Sequence, residues 1–506
     1  MLGPITRHAA TLFGDRPVVV GPDGTLTYAE LHHHADRVAA GLAARGVGEG
    51  DVVVLALPSG GDWLVAAVAL ARLGAIAAGV STALSAPERA GMVELVGPRL
   101  VIAGPDTVDG LPLRSDVAVV ESGTRCAALA VDGGVAELPD DDERAAAICF
   151  TSGTTGRPKA ALFRVRQLRA VQRIDLGPDA EQIWDGGSAM LASTQFAHVG
   201  MTAKFPWYLR RGSTLHVMAR WRPDTALELV AAHRMPTIGV VAPQLALMLR
   251  SPLLDSLDLS CVQAIIAGGA ASPPQLVIEA RERFGAQYSI RYSSTESGGV
   301  GLGTAFDADD DEALHTVGRP RPGVEVRIAD EQDRPVAVGQ VAELQLRSPA
   351  TMQEYWRDPE ATAAALTDDG WLRTGDLARI RADGCVELCG RRTEMYIRGG
   401  YNVFPAEVEA VLRSHPGVLD VVVVPEPDPV MGELGVAVVV PRDPASPPTL
   451  EDLRAHGTDQ IARHKLPERL VVVHDIPLTS AQKVDRAAVR SLAASDAGDA
   501  GDAVQS

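Results

Sequence analysis

The sequence predicts an α/β protein: a large N-terminal domain, in which parallel-type sheets are covered by helices, and a small C-terminal α+β domain. Three successive patterns along the 506 residues carry this prediction. Helical and strand patterns first alternate. From residue 324, short strands joined by turns indicate a small β-barrel-like section. After residue 392, helices and strands mix in a compact unit of about 100 residues, the size of a small domain.

The N-terminal region repeats a β-α-β rhythm. Residues 27–45 show the apolar spacing of an amphipathic helix, and 52–57 read as a buried strand. A buried helix beginning at Trp63 and a strand at 75–80 follow. Because parallel strands need crossover connections, this rhythm predicts parallel sheets between layers of helices. Further strands are predicted at 145–151, 213–217, 238–242, 264–267 and 287–292.

Shorter elements build the rest of the chain. The barrel-like section is predicted to contain strands at 324–328, 342–346, 377–380 and 386–388. The C-terminal unit is predicted to contain helices at 406–414 and 450–464 and strands at 418–424, 436–440 and 470–473. Residues 493–506, rich in Ala, Asp, Gly and Ser, are predicted to form a disordered acidic tail.

Composition narrows the function classes. A net charge of −18 argues against a broad nucleic-acid-binding surface. The N-terminus lacks the apolar core of a signal peptide, and the longest apolar stretch, 63–84, is interrupted by Arg72 and two glycines. We therefore expect a cytoplasmic protein without a membrane span. The five cysteines are scattered and complete no zinc site, so reduced thiols are expected.

Lysine is rare in this chain. Of 47 basic residues, four are lysines: Lys159, Lys204, Lys465 and Lys483. Arginine therefore serves wherever a positive charge suffices. A lysine that remains is a candidate for a site that needs a compact ammonium group, which a guanidinium cannot imitate.

One segment, TSGTTGRPK at 151–159, has the composition of a phosphate-binding loop. It follows a predicted strand. Its glycines allow close backbone approach, its hydroxyls donate to phosphate oxygens, and its lysine adds a mobile cation. The spacing is not that of a Walker A loop, and the alternative is a polar surface turn. The candidate ligands are Thr151, Ser152, Gly153, Thr154, Thr155, Gly156 and Lys159.

Seven further motifs follow in a fixed order: Gln195-Phe-Ala-His198, Gly268-Gly269-Ala270, Tyr292-Ser-Ser-Thr295-Glu296, Gly370-Trp-Leu-Arg-Thr-Gly-Asp376, Gly390-Arg391, Gly399-Gly400-Tyr-Asn-Val-Phe-Pro-Ala-Glu407 and Gln482-Lys483-Val-Asp-Arg486. With the phosphate loop, they make the chain resemble the adenylate-forming superfamily of acyl-CoA synthetases, peptide-synthetase adenylation domains and luciferases. The resemblance is closest to acyl- or aryl-CoA ligases and spans residues 25 to 490, nearly the whole chain.

The resemblance implies a role for each motif. His198 lies at the mouth of the acid pocket. Gly268, Gly269, Ala270 and Tyr292 contact adenine, Thr295 contacts the α-phosphate, and Glu296 and Thr151 hold Mg²⁺. Asp376 and Arg391 reach the ribose, and Gly399 and Gly400 line a thiol tunnel. Lys483 bridges the acid carboxylate and the α-phosphate, which lowers the barrier to attack of one anion on another.

The implied reaction has two steps. ATP and an acid first give an acyl-adenylate and pyrophosphate. A mobile C-terminal domain (395–492) then rotates about a hinge at 392–394 relative to the N-terminal domain (1–391), and a thiol attacks the adenylate. The chain departs from the family pattern at Ala160, Arg291, Gln482 and Thr393. The last two put the stiffness of the catalytic loop and the ease of domain rotation in doubt.

The acid and the acceptor are less defined. The segment at 196–198 lacks the aspartate that would bind an α-ammonium, so an aryl or aliphatic acid is favoured. Lys204 is either a group that meets a second anion or a solvated helix lysine. CoA is the first choice of acceptor; a carrier-protein phosphopantetheine arm, an amine or a different oxyanion chemistry are alternatives. A non-catalytic nucleotide-binding protein is the alternative class. A monomer or homodimer is expected.

Overall fold

The computed structural model describes residues 2–111, 116–151, 158–478 and 484–502. Contacts divide the chain into two compact units. The N-terminal unit comprises Met1–Val326 and Gln345–Arg373, and the C-terminal unit comprises Arg327–Leu344 and Thr374–Ser506. The α/β class predicted from the sequence, with a large N-terminal and a small C-terminal part, is confirmed. The predicted domain limits and the hinge at 392–394 stay predictions.

The helices of the described chain are α1 (Leu2–Phe13), α2 (Tyr28–Ala44), α3 (Gly61–Leu73), α4 (Ala86–Val96), α5 (Val165–Leu176), α6 (Val199–Thr202), α7 (Phe205–Arg211), α8 (Pro223–Ala232), α9 (Ala242–Arg250), α10 (Pro274–Phe284), α11 (Asp310–His315), α12 (Pro359–Ala365), α13 (Pro405–Arg413), α14 (Leu450–Thr458) and α15 (Arg486–Asp502).

The strands are β1 (Pro17–Gly21), β2 (Gly24–Thr27), β3 (Val52–Ala56), β4 (Ile76–Gly79), β5 (Leu100–Ala103), β6 (Val117–Val119), β7 (Ala145–Thr151), β8 (Lys159–Arg164), β9 (Ala189–Leu191), β10 (Thr214–His216), β11 (Thr237–Val241), β12 (Ala264–Gly268), β13 (Gln287–Tyr292), β14 (Leu302–Gly303), β15 (Arg319–Pro320), β16 (Glu325–Ala329), β17 (Ala342–Arg347), β18 (Glu354–Tyr355), β19 (Leu372–Ile380), β20 (Val386–Arg391), β21 (Tyr396–Arg398), β22 (Tyr401–Val403), β23 (Val418–Asp428), β24 (Gly432–Pro441) and β25 (Arg469–Val472).

The described residues of the N-terminal unit form three sheets. The largest has the order β18-β8-β7-β4-β3-β5-β6 and is parallel from β7 to β6, while β8 and β18 add antiparallel strands at one edge. A second sheet has the order β11-β12-β13-β14-β15, and a third the order β2-β1-β10-β9. The expected parallel pattern is therefore present at the centres of the sheets. Antiparallel strands are added at their edges, and several site residues lie on these strands.

Helices α2 and α3 show why the predicted elements form. Thr27 caps α2 through a capping box with Glu30, which satisfies backbone N–H groups at the first turn. Helix α3 is buried on nearly every side, so it reads as continuously apolar rather than amphipathic. Its left-handed cap, Gly74, ends the helix before β4. No helix of the described residues is long and apolar enough to cross a membrane.

The section predicted to be barrel-like is a four-stranded sheet of order β16-β17-β19-β20. The C-terminal unit also contains the order β22-β21-β24-β23, with β25 paired to β24. The valine runs of β23 and β24 are buried on both faces. Val421 and Val423 pack in one apolar cluster with α13, and Val422 and Val424 pack in another with α15. Such two-sided burial explains the unbroken runs of valine.

Two C-terminal elements differ from the sequence prediction. Helix α14 ends at Thr458 rather than at residue 464. Gly457 is poor in helix propensity, and Leu466 folds back against it before Pro467. Helix α15 continues to Asp502, through ten residues that were expected to be disordered. Alanine favours helix, and Val489 and Ala493 are buried against the sheet, which anchors the first turns.

Candidate active site

The phosphate loop is carried by a β-hairpin in the largest sheet. Strand β7 ends at Thr151, strand β8 begins at Lys159, and the register places these two residues directly opposite each other. The intervening candidates, Ser152, Gly153, Thr154, Thr155 and Gly156, lie outside the described residues. The ladder thus brings the two ends of the predicted loop together. They lie where parallel β7 ends, the side of an α/β sheet at which ligands bind.

Lys159 faces an aromatic ring rather than a carboxylate. Its Nζ lies 5.0 Å from the centroid of the Tyr355 ring, within the range of a cation–π contact. Tyr355 is on β18, which pairs with β8 so that Tyr355 is opposite Ala161. Within the described parts of the chain, the Lys159 ammonium makes no ion pair. Its charge is therefore available to an anion.

Glu296 joins this group through the same tyrosine. The Tyr355 hydroxyl donates a hydrogen bond of 2.7 Å to Oε1 of Glu296. Tyr355 is nearly fully buried, and burial together with the neighbouring Glu296 charge raises the pKa of its hydroxyl, which therefore stays protonated. One side chain thus contacts both the predicted phosphate cation and the predicted metal ligand.

The turn that carries Thr295 and Glu296 is tightly held. The N–H of Gly298 donates to the Thr295 carbonyl at 3.0 Å, and Ser294 and Ser297 exchange side chain–backbone hydrogen bonds. Gly298 has a φ of +75°, and a Cβ there would lie 2.5 Å from the Ala350 carbonyl oxygen. Only glycine fits both conditions, so the turn after β13 has little freedom.

The predicted adenine contacts meet at one edge of the second sheet. The register aligns Val241, Gly268 and Arg291, which places the carboxyl ends of β11, β12 and β13 side by side. Gly269 and Ala270 follow β12, and Tyr292 ends β13. The structure therefore brings together residues that are distant in sequence. Their contacts with a nucleotide stay a prediction.

The segment 195–198 is anchored next to an aromatic cluster. Phe196 is fully buried, with ring centroids 5.6 Å from Trp63 and 4.9 Å from Phe205. Its N–H donates to the Ser59 hydroxyl at 2.9 Å. His198 is half-buried and forms the N-cap of the short helix α6. The predicted pocket segment is thus a rigid, mainly apolar element, and the catalytic role of His198 stays a prediction.

Lys204 has a partner inside the protein. Its Nζ lies 3.3 Å from Oδ2 of Asp175, whose other oxygen accepts a 2.5 Å hydrogen bond from Arg321. Burial alone would raise the pKa of the Asp175 carboxyl, but the charges of Lys204 and Arg321 outweigh it and lower that pKa. The Lys204 side chain is 23% exposed. It is therefore neither a solvated helix lysine nor an unpaired cation.

The predicted ribose contacts form a pair in the C-terminal unit. Asp376 on β19 and Arg391 on β20 are opposite each other in the antiparallel register. Arg391 Nε lies 2.9 Å from Oδ1 of Asp376, and the Asp376 side chain is largely buried while that of Arg391 is half exposed. Gly375 N–H donates to Glu343, which fixes the backbone beside Asp376. The structure therefore unites two residues from separate motifs.

Gly399 and Gly400 form the two-residue loop of the β21–β22 hairpin. Both have positive φ, +55° and +87°, as a type I′ turn requires. The adjacent Tyr401 is 60% exposed and stacks on His464 with ring centroids 4.4 Å apart. Lys465 contacts both carboxylate oxygens of Glu407, at 2.6 and 2.7 Å. The motif is thus a small exposed hairpin beside an aromatic stack.

Lys483 and Gln482 lie outside the described residues. The described residues on either side of them pair with each other. Leu478 and Val484 form an isolated antiparallel bridge. Arg486 contacts Glu394 at 3.1 Å and Glu409 at 2.8 Å, and it donates to a carbonyl of β23. The final arginine of the motif is therefore fixed by two carboxylates and a backbone carbonyl. The position and role of Lys483 stay predictions.

The site fits Mg²⁺ held together with a nucleotide. The described residues contain no cluster of three or more His, Cys, Asp or Glu side chains that could hold a metal ion. Glu296 supplies a single carboxylate, and Thr151 a hydroxyl at the strand end. Mg²⁺ commonly keeps several waters and binds through one or two carboxylates plus substrate phosphates. Glu296 and Thr151 are therefore suitable ligands once ATP provides the other oxygens.

Tyr355 was missed by the sequence analysis. It lies in Glu354-Tyr355-Trp356, a short segment without the glycines or charged clusters that mark the other motifs. An aromatic pair after a loop is common in cores, so the pattern alone did not indicate a functional role. Asp175 was missed too, because nothing local distinguishes it from a solvent-exposed helix residue.

Comparisons with known proteins show the family of the chain. The AMP-binding enzyme family matches residues 6–356, and the AMP-binding enzyme C-terminal domain matches 407–483. An indoleacetate–CoA ligase of Aromatoleum aromaticum is 31% identical over 507 residues, covering 97% of this chain and 97% of that protein. A fatty acid–[acyl-carrier-protein] ligase of Streptomyces coeruleorubidus is 30% identical over 483 residues, covering 94% and 93%.

A solved structure shows the same fold over the whole chain. The amide bond synthetase of Marinactinospora thermotolerans has a TM-score of 0.84 at 29% identity, covering 97% of this chain and 99% of that one. The family match extends over more than half of the chain. The chain therefore belongs to the AMP-binding enzyme family and is an adenylate-forming ligase that activates an acid with ATP.

Proposed function

We propose that this ligase joins an aryl or aliphatic carboxylic acid to ATP and then transfers the acyl group to the thiol of CoA. In the first step a carboxylate oxygen attacks the α-phosphorus, and the bond to pyrophosphate breaks. In the second, the thiol sulfur attacks the acyl carbon, loses its proton, and AMP leaves. The observation that carries the proposal is the convergence of Lys159, Tyr355 and Glu296 beside the hairpin of the phosphate loop.

The residues divide the work of the first step. Lys159, free of an internal carboxylate among the described residues, stabilises the charge of the departing pyrophosphate. Glu296 and Thr151 would hold Mg²⁺, which when bound neutralises phosphate charge. Lys483 supplies the ammonium that approaches the carboxylate and α-phosphate oxygens. Asp376 accepts hydrogen bonds from the ribose hydroxyls, and Arg391 holds the carboxylate of Asp376 in place.

An acid without a second anionic group is favoured. Lys204, the lysine considered for such a group, already forms an ion pair with Asp175. The rings of Phe196, Trp63 and Phe205 are buried against each other, which gives the predicted acid-pocket segment an apolar support. The acids in the printed names of two relatives, indoleacetate and a fatty acid, both have one carboxylate and an apolar body.

A pantetheine thiol is the acceptor we favour. The exposed Gly399-Gly400 hairpin allows an extended chain to approach the backbone closely, as the resemblance to CoA ligases implies. The relative that acts on an acyl-carrier protein and the amide bond synthetase structure make a carrier-protein thiol and an amine the two alternatives to test.

The decisive experiment has two stages. Acid-dependent ATP–pyrophosphate exchange is measured with indoleacetate, phenylacetate, octanoate, succinate and an α-amino acid. We expect exchange with one of the first three and little with the last two. The best acid is then incubated with ATP and, in parallel, CoA, a pantetheinylated carrier protein or a primary amine, and the products are identified by mass spectrometry. Absence of exchange with every acid would contradict carboxylate activation; an amide or carrier-bound product alone would reassign the acceptor.

A further inference from the structure

We propose that Tyr355 is a positioning residue that holds Glu296 and Lys159 apart and orients both toward the metal–nucleotide complex. This inference rests on the proposed adenylation reaction. Two contacts of one side chain carry it: the hydroxyl donates to Glu296 Oε1 at 2.7 Å, and the ring lies 5.0 Å from the Lys159 ammonium. The two charged groups belong to different motifs, and neither motif contains Tyr355.

The hydroxyl restricts the carboxylate. An ionised carboxylate only accepts hydrogen bonds, so the phenol is the donor in this contact. The bond engages Oε1 of Glu296 and restricts rotation of the carboxylate, while Oε2 takes no part in this contact. Metal-ligating carboxylates depend on such outer hydrogen bonds for their orientation.

The ring restricts the lysine. A cation over an aromatic face is held by the ring quadrupole, and because the ring is uncharged, the positive charge is not cancelled as it would be by an anionic partner. In the described chain, Lys159 and Glu296 form no ion pair with each other, although both contact Tyr355. If the two charges met, they would neutralise each other and compete with phosphate and metal. The aromatic side chain thus keeps a cation and an anion available in one small region.

The backbone of this segment is held independently of the tyrosine side chain. Met352 N–H donates to the Glu296 carbonyl at 2.7 Å, and Trp356 N–H donates to the Ala160 carbonyl at 2.7 Å. Tyr355 N–H donates to the Thr362 hydroxyl at 2.9 Å. The segment therefore bridges the Glu296 turn and the phosphate-loop hairpin through its main chain. Removing the hydroxyl should leave this framework in place.

Two other buried tyrosine hydroxyls, those of Tyr28 and Tyr288, provide a contrast. Tyr28 donates at 2.7 Å to the Ser213 carbonyl, and Tyr288 bonds the Ser272 hydroxyl at 3.0 Å. Both partners are neutral, and the Tyr28 partner lies outside every predicted site motif. Tyr28→Phe is therefore a matched control, since it removes a buried hydroxyl with the same donor distance.

The test measures metal and nucleotide binding directly. Mn²⁺ is titrated, by electron paramagnetic resonance, into the full-length enzyme carrying a non-hydrolysable ATP analogue. Tyr355→Phe keeps the ring and should weaken Mn²⁺ binding by about 10-fold, the lower range for loss of an outer-shell partner. Metal-free binding of the analogue, measured by calorimetry, should change little. Tyr355→Leu, which also removes the ring, should weaken metal-free binding as well.

The outcomes separate this inference from the proposed reaction. If wild-type enzyme fails to exchange pyrophosphate with any acid, the proposed function falls, while Mn²⁺ binding can still be measured. If Tyr355→Phe binds Mn²⁺ as tightly as wild type and Tyr28→Phe, the positioning role is overturned. An equal loss in Tyr355→Phe and Tyr28→Phe also overturns it, because general loosening would then explain the effect.

A double-mutant cycle locates the effect. In a Glu296→Gln background, Tyr355→Phe should cause little additional loss of Mn²⁺ affinity, because the carboxylate that the hydroxyl orients is already gone. Fully additive losses would show that the hydroxyl acts on something other than Glu296 and would also overturn the proposal. Thermal unfolding of each variant identifies any that fails to fold.

Discussion

Lys159 and Lys204 lie in the same unit and are both partly shielded from water, yet their surroundings differ. Lys159 faces the Tyr355 ring and has no carboxylate partner among the described residues. Lys204 is 3.3 Å from Asp175, which Arg321 also contacts. The first charge remains available to a phosphate, whereas the second is held in an ion pair inside the protein. The rarity of lysine therefore indicates positions where an ammonium group is needed. It does not distinguish a lysine that binds a ligand from one that stabilises the fold.

Lys465 and Lys483 extend the comparison to the C-terminal unit. Lys465 contacts both carboxylate oxygens of Glu407. Lys483 lies in the segment to which the family resemblance assigns a catalytic role. All three lysines in the described residues thus have a specific partner, but one of these partners is an uncharged ring. We expect this distinction to separate functional lysines from structural ones.

The largest effect is expected at Lys483. Lys483→Ala should lower adenylate formation by about 10³-fold, because it removes a cation that stabilises charge in the transition state. Binding of ATP, measured by calorimetry, should be largely spared. Lys465→Met should keep pyrophosphate exchange near the wild-type rate. Normal exchange in Lys483→Ala would remove the central assignment of this lysine.

An intermediate effect is expected when Lys159 or Lys204 is replaced by methionine. Lys159→Met should raise the KM for ATP by about 10-fold, the factor for loss of roughly 1.4 kcal/mol of binding, with little change in stability. Lys204→Met should leave the KM for ATP unchanged but lower the free energy of unfolding by about 1–3 kcal/mol, since a buried carboxylate loses one partner. Steady-state kinetics and urea unfolding of both variants test this. Similar behaviour of the two variants would break the comparison.

The smallest effect concerns pH and Asp175. Its folded-state pKa lies below the value of about 3.9 expected for the unfolded chain, so its ionised form stabilises the fold. That stability is present above about pH 4 and is lost as the pH falls through the folded-state pKa. The free energy of unfolding should therefore fall less steeply with acidification in Asp175→Asn than in wild type. In Lys204→Met the free energy of unfolding should also fall less steeply with acidification than in wild type. Identical slopes in wild type, Asp175→Asn and Lys204→Met would contradict a stabilising ion pair at Asp175.

Much of the fold followed from sequence pattern. The predicted strands in the N-terminal unit agree with the structure to within a few residues at each end, since buried parallel strands read as short apolar runs between helices. Asp376 and Arg391, taken from separate motifs, face each other across two antiparallel strands. The end of α14 and the length of α15 were not predicted, because packing of Leu466 on Gly457 and of Ala493 on the sheet overrides local preference.

The candidate site was predicted unevenly for a related reason. The glycine motifs could be identified from the sequence, because positive φ at Gly269, Gly399 and Gly400 restricts the residue type. No comparable restriction on residue type distinguishes Tyr355 in the sequence. Its importance comes from a hydroxyl that reaches Glu296 and a ring that meets Lys159, and both partners are distant in sequence.

The sequence by itself determined which chemical groups are available: four lysines, the hydroxyls and glycines of one loop, and the carboxylates of Glu296 and Asp376. It also determined the order of strands and helices, since their apolar periods are local properties of the chain. Only the tertiary structure decided that Lys204 is paired with Asp175 while Lys159 faces the uncharged ring of Tyr355. Electrostatic interactions depend on distance and burial in space, and separation along the chain encodes neither.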